Sequence, residues 1–210
     1  MFSKCALCIF QHMAEIVASV SPPSDEPAPR ASGVLSAGVL PIRRQPIVQA
    51  QARPLSANQG RARCWWLGVH GGAGETALAR LFAGVPAAEH MWPISDGSPA
   101  GVVLVARTNF WGMSAAQAAM RDWSANYRLH VDVLGLVLVA DRPGKLPRPL
   151  LDLQHDLQGA TPNLWRLPWV ECWSLGEIPS RENAPTKPVE ALRLGLTAAL
   201  KKNAARKAGN

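Results

Sequence analysis

The chain has 210 residues, a hydrophobic content of 48% and a net charge of +7. That length suits one domain with tails and excludes two full ones, and the apolar fraction is ample for a core. The charge is uneven: residues 1–63 carry +4, residues 201–210 carry +4, and residues 64–200 carry −1. Basic tails on a nearly neutral body are usually solvating, and less often a nucleic-acid footprint.

In chain order, the first segment is MFSKCALCIFQHMAEIVASV. Cys5 and Cys8 form a C-x-x-C with His12 following, but a closed zinc site needs four ligands and no second pair stands at finger spacing. No metal is expected. Gln11, His12 and Glu15 make the stretch too polar for a membrane span, it lacks a signal-peptide core, and the protein reads as cytoplasmic. Residues 21–62 are rich in Pro, Ala, Ser and Arg and show no period, so residues 1–62 are predicted to be a disordered N-terminal region with a short apolar start. All eight tryptophans and the single tyrosine follow residue 63. The globular domain is placed at residues 63–200, with a basic tail at 201–210.

Within the domain, apolar runs alternate with helical patterns. Cys64–Val69 reads as a buried strand and Thr76–Ala83 as a helix closed by Gly84. Gly101–Ala106 is a second strand. Ser114, with Gln117 three residues on, has the capping-box pattern for a helix over 114–127. Val133–Ala140 is a third strand, unbroken in apolar character as a central parallel strand should be. Pro149 suits the first turn of the next helix, which Leu150, Leu153 and Leu157 stripe. Leu164–Val170 is a fourth strand, and Val189, Leu192, Leu196 and Leu200 stripe a last helix. Alternation at these spacings predicts an α/β fold with a small, mostly parallel sheet flanked by helices.

Between the first strand and helix the chain reads Val69-His70-Gly71-Gly72-Ala73-Gly74-Glu75-Thr76. Successive glycines let backbone N–H groups turn inward as an anion nest. The phosphate-loop pattern is G-x-x-x-x-G-K-[ST]. Gly74 and Thr76 fit it, Val69 replaces its first glycine, and Glu75 replaces its lysine. A tight strand-to-helix turn needs glycines too, but the flanking buried strand and amphipathic helix favour the phosphate-loop reading.

Here the chain resembles the ParA/MinD-like (SIMIBI-type) P-loop ATPases, whose loop reads roughly K-G-G-x-G-K-T. Gly71, Gly72, Gly74 and Thr76 match; His70 stands at the family's signature lysine and Glu75 at its general P-loop lysine. VLGLVLVADRPG is similar to the family strand leading to the base-binding loop, and LWRLPWVECW to the strand and loop after it. The resemblance implies a P-loop NTPase-like fold over most of residues 64–200. It also implies what is missing: Val85–Ala100 is too short for the switch segments and the strand bearing the magnesium-organising aspartate. Phosphoryl transfer depends on lysine, magnesium and a positioned water. A glutamate ~4 Å from phosphate repels it by ~4 kcal/mol at an effective dielectric of about 20. ATP with magnesium is therefore disfavoured as a cofactor, Glu75 is expected to block nucleotide, and Glu75→Lys is expected to raise affinity.

Other polar residues carry weaker signals. Arg107, Asp141 and Arg142 lie at the carboxyl ends of the second and third strands, where open α/β sheets bind ligands. They read as a ligand edge or as a plain Arg–Asp ion pair. Asp152, His155 and Asp156 read as a solvated helix face. Trp111, Trp123, Trp165, Trp169 and Trp173 read as core and rim packing, while Trp169 and Trp173, around Glu171, would mark a protein interface if exposed. Three functions follow in order of preference. The first is a non-catalytic P-loop-like factor binding a protein partner, a ParA/MinD-type ATPase in particular, in plasmid or mobile-element biology. The second is a nucleotide binder or slow ATPase whose site is rebuilt by Thr76 and Lys145. The third is a nucleic-acid accessory protein using its basic tails.

Overall fold

The computed structural model describes residues 52–54, 62, 64–94, 99–125 and 130–209, all within one unit, Gln45–Asn210. Cys5, Cys8 and the Pro/Ala-rich stretch up to residue 51 lie outside the described residues. Four parallel strands form the main sheet in the order β2 (Cys64–Gly68), β4 (Ala100–Arg107), β5 (Val131–Val139), β6 (Leu164–Leu167). A second parallel pair joins β1 (Ala52–Pro54) to β3 (Trp92–Ile94). Among the described residues, strand pairing is thus already present at Ala52–Pro54, upstream of the predicted boundary at residue 63.

The helices are α1 (Glu75–Leu81), α2 (Phe110–Ala125), α3 (Arg148–Ala160), the single turn α4 (Glu171–Ser174) and α5 (Thr186–Ala208). Strand side chains alternate between two cores, as the pleat requires. Trp65, Leu67, Val102 and Leu104 pack with Met113 and Ala116 of α2 and Leu157 of α3. Trp66, Val103, Val105 and Val137 pack with Leu78 of α1 and Leu192 and Leu196 of α5. The sheet is covered on both faces, which is why β2, β4 and β5 read as nearly continuous apolar runs.

Several element boundaries differ from their sequence signals: β6 ends at Leu167 rather than at the expected Val170, which instead caps the helical turn that follows, and two others shift through side-chain contacts. Helix α2 starts at Phe110, because the Asn109 side-chain oxygen accepts the Gly112 N–H at 2.7 Å and satisfies a first-turn donor. Ser114, the expected cap, lies inside the helix. The basic tail is no tail either: α5 runs unbroken to Ala208. Arg206 reaches Asp132 at 2.5 Å, Lys207 reaches it at 3.1 Å, and the Asn203 amide donates to it at 3.1 Å. Tertiary anchoring by a half-buried carboxylate thus orders a segment whose composition alone marks it as solvated.

This clamp yields a prediction. Burial alone would raise the Asp132 carboxyl, but hydrogen bonds from Lys207, Asn203 and Arg206 hold it below the ordinary carboxylate value. A depressed carboxylate contributes stability that is present above its unfolded value of about 3.9 and lost as pH falls through the folded value. Ending the chain at Lys202 leaves Asp132 without those partners. We expect a loss of about 2 kcal/mol at neutral pH, read by urea unfolding, that narrows as pH falls below 4. Unchanged stability would show that the last turns of α5 contribute nothing.

Candidate functional site

The glycine loop joins β2 to α1 at the carboxyl end of the sheet. Val69 continues the strand for one more bond, its N–H donating to Val105 O at 3.0 Å. The chain then turns through Gly72 and Gly74, at φ 75° and 107°, a region open to glycine and costly for other residues. Ala73 between them is fully buried, its N–H on His70 O at 3.2 Å. Among the described residues, the amides of Gly71, Gly72 and Gly74 have no acceptor. Thr76 is exposed at the loop's end.

Two sets of side chains fix this loop. On its rim, the Arg107 backbone N–H donates to His70 Nε2 at 3.0 Å, so the ring proton sits on Nδ1 and is donated to Gly71 O at 2.9 Å. Burial pushes the His70 pKa below its ordinary value, keeping the ring neutral. The Arg107 side chain spans the rim: Nε donates to Gly72 O and Nη1 to Ala140 O, each at 3.0 Å. Burial lowers its pKa, and the charge of Asp141 opposes that shift. Asp141 instead gives its backbone N–H to Thr108 Oγ1 at 3.1 Å. Among the described residues no ion pair joins Arg107 to Asp141, and Arg142 is exposed. The Arg–Asp pair read at these strand ends is replaced by an arginine stapling two backbone carbonyls.

Beneath the loop lies the second set. Glu75 is 5% exposed; its carboxylate turns back under the loop and accepts the Gly68 N–H at 2.6 Å. His90 completes the cluster, with Nδ1 at 2.8 Å from Gly68 O and Nε2 at 3.4 Å from Glu75 Oε1. Since Nδ1 faces a carbonyl it carries a proton; Nε2 then accepts from a protonated Glu75 or, charged, donates to the carboxylate. Burial pushes the Glu75 pKa up, and Gly68 N–H and His90 pull against that. His90 sits in a left-handed turn with Glu89, at φ 60° and 56°, conformations unfavourable for these residues and held by their surroundings. The expectation that Glu75 faces bound phosphate is therefore corrected: its charge is spent on the end of β2.

The sequence-predicted loop residues His70, Gly71, Gly72, Gly74, Glu75 and Thr76 are thus contiguous, and Arg107 joins them. Lys145 is exposed in the loop after β5 and makes no polar contact with the glycine loop among the described residues. Asp152 pairs with Arg148 on an exposed helix face. Among the described residues, no group of three His, Cys, Asp or Glu could hold a metal ion. Trp173 is half-buried, its indole N–H on Asn183 Oδ1 at 2.8 Å, and Trp169 is also half-buried. Trp111, read as packing, is 71% exposed and stacks edge-on with Phe110, itself 57% exposed. Sequence reading missed His90 and Gly112. No local motif marks His90, which is 22 positions from its partner Gly68. Gly112 lies so close to Arg107 O and His70 Nε2 that a Cβ there would collide with both.

The family model described as "Family of unknown function (DUF6668)" matches residues 62–189, and the chain belongs to that family. No curated protein and no solved structure matches the chain.

Proposed function

We propose that this chain is a catalytically decayed P-loop-like protein, of ParA/MinD-like descent, that works by binding another protein rather than by turning over nucleotide. The observation that supports this best is Glu75. At the position where a phosphate loop carries its lysine, a buried carboxylate is hydrogen-bonded to Gly68 N–H at 2.6 Å and paired with His90. The residue serves as a staple between the strand end and the first helix. With its carboxyl turned under the loop, this position offers phosphate no cation, and catalysis of phosphoryl transfer needs cationic groups in that place.

The partner-binding side of the reading draws on exposed apolar residues at the same end of the sheet. Because the strands are parallel, the segments following β4 and β6 emerge together at their carboxyl ends. They carry Phe110, Trp111, Leu175 and Ile178, exposed by 57, 71, 78 and 66%. Large apolar side chains left in water around a site mark contact surfaces more often than chance placement. The partner we propose is a ParA/MinD-type ATPase encoded alongside this chain, in plasmid or mobile-element maintenance.

Two measurements test this. Calorimetric titration with magnesium-ATP is expected to show no binding, and phosphate release is expected to stay at background. Added to the neighbouring ATPase, the full chain is expected to change its turnover, and Trp111→Ser with Phe110→Ser is expected to abolish that effect. Magnesium-dependent hydrolysis lost in Thr76→Ala would overturn the non-catalytic reading and restore the rebuilt-site one. An effect on the ATPase unaltered by the double substitution would move the contact surface elsewhere.

A further inference from the structure

A cleft of about 250 Å³ opens at the carboxyl end of the sheet, between α1 and the segment after α4. Its apolar lining is Leu78 of α1, Val139 and Leu167 from the ends of β5 and β6, and Trp173 and Ile178 from the far side. Arg107 lines it too, and Arg80, exposed and on α1, lines its edge.

Arg107 is the informative residue. Its guanidinium is half-buried, and its two intramolecular acceptors, Gly72 O and Ala140 O, are neutral carbonyls. Nη2 has no acceptor among the described residues, and no carboxylate lies within ion-pair distance. The acid on the cleft wall, Glu177, receives the Asn183 amide at 3.4 Å. Asp141 acts on the Arg107 guanidinium only from beyond ion-pair distance. A partly desolvated cation is then incompletely compensated, and an anion that reaches it gains charge-assisted hydrogen bonds. Fixing Arg107 through Nε and Nη1 also removes its rotamer entropy before any ligand arrives.

We propose that this cleft binds a small organic anion. A carboxylate or phosphate group sits on Arg107, with Arg80 at the edge, and an apolar, flat body lies against Leu167 and Trp173. The cleft, somewhat smaller than the roughly 300–1,000 Å³ of usual ligand pockets, suits a small ligand. The site does not depend on P-loop descent, since it uses neither the loop amides nor Thr76. It also survives if the protein-partner reading fails.

The test uses the full chain and phenyl phosphate, a phosphate on a flat apolar ring. Inorganic phosphate and benzyl alcohol serve as half-ligands. Binding is followed by calorimetry and by the Trp173 indole N–H resonance, assigned with Trp173→Phe. We expect saturable phenyl phosphate binding that shifts this resonance, weakens with added salt, and is at least ~10-fold tighter than either half-ligand. Arg107→Gln is expected to weaken it by ~10-fold or more. Because Arg107 also staples the loop, Ile178→Trp provides a second variant: it fills the cleft from an exposed position, leaves Arg107 in place, and should abolish binding. Absent binding overturns the proposal, as do equal affinities in wild type and both variants. Inorganic phosphate binding as tightly as phenyl phosphate would overturn the apolar half of the site.

Discussion

Glu75→Lys is expected to unfold the domain or leave it barely folded, and to gain no nucleotide. The wild-type carboxylate is 5% exposed, accepts Gly68 N–H at 2.6 Å and faces His90 Nε2 at 3.4 Å. A lysine there points an ammonium at a backbone donor and an imidazole. Removing one partner of a buried charged cluster costs about 3–5 kcal/mol, a large share of the 5–15 kcal/mol that holds a typical domain together. Glu75→Gln keeps an acceptor for Gly68 N–H and should cost only about 1–2 kcal/mol. Urea unfolding of the three proteins checks the order, and magnesium-ATP titration of any folded fraction checks the absence of gained affinity. A stable Glu75→Lys protein that binds ATP would mean the loop readily reopens as a phosphate site.

The same carboxyl gives a pH signature with a definite sign. Its folded pKa is raised by burial, so in the window above the ordinary glutamate value the folded state holds more proton than the unfolded one. Stability from this group is full below about pH 4.3 and falls as pH rises through the folded value. Glu75→Gln should flatten that limb of the profile. Asp132 slopes the opposite way at the acid end, so the two groups separate in one pH series.

Gly112→Val is the second large effect. A Cβ at this position would lie 2.9 Å from His70 Nε2 and 3.0 Å from Arg107 N, and closer still to Arg107 O. Two of those three atoms are backbone and cannot swing aside. The first turn of α2 must then lift off the end of β4, breaking the Arg107 N–H bond to His70 and the Asn109 cap on Gly112. Overpacking of this kind typically costs 1–3 kcal/mol, and the lost cap adds about 1 more. We expect a total near ~3 kcal/mol by urea unfolding, with the His70 ring resonances changed. Gly159→Ala on α3 is the control: a Cβ there meets nothing within 4 Å, and the substitution should gain up to about 1 kcal/mol from helix propensity. Equal stability of wild type and Gly112→Val would show that α2 can shift without cost.

Sequence by itself determined the parallel α/β class. Runs such as GVVLVA and VLGLVLVA have no polar face, and only a sheet covered on both sides buries them. It also located the glycine loop, because Gly72 and Gly74 stand where the backbone turns left-handed. What it did not contain was direction. Glu75 at the first position of a helix reads as solvent-facing and opposed to phosphate. Only the tertiary turn that delivers His90 beside Gly68 shows the carboxylate facing inward. Likewise Arg107 and Asp141 look like a pair on neighbouring strand ends, yet the loop carbonyl of Gly72 lies closer to the guanidinium's reach. Lys207 and Arg206 look like a solvated tail until Asp132, more than seventy positions away, provides an anchor. Local pattern reports which residues are buried through period and composition. The partner of each polar group depends on long-range contacts between segments, and no local period encodes those.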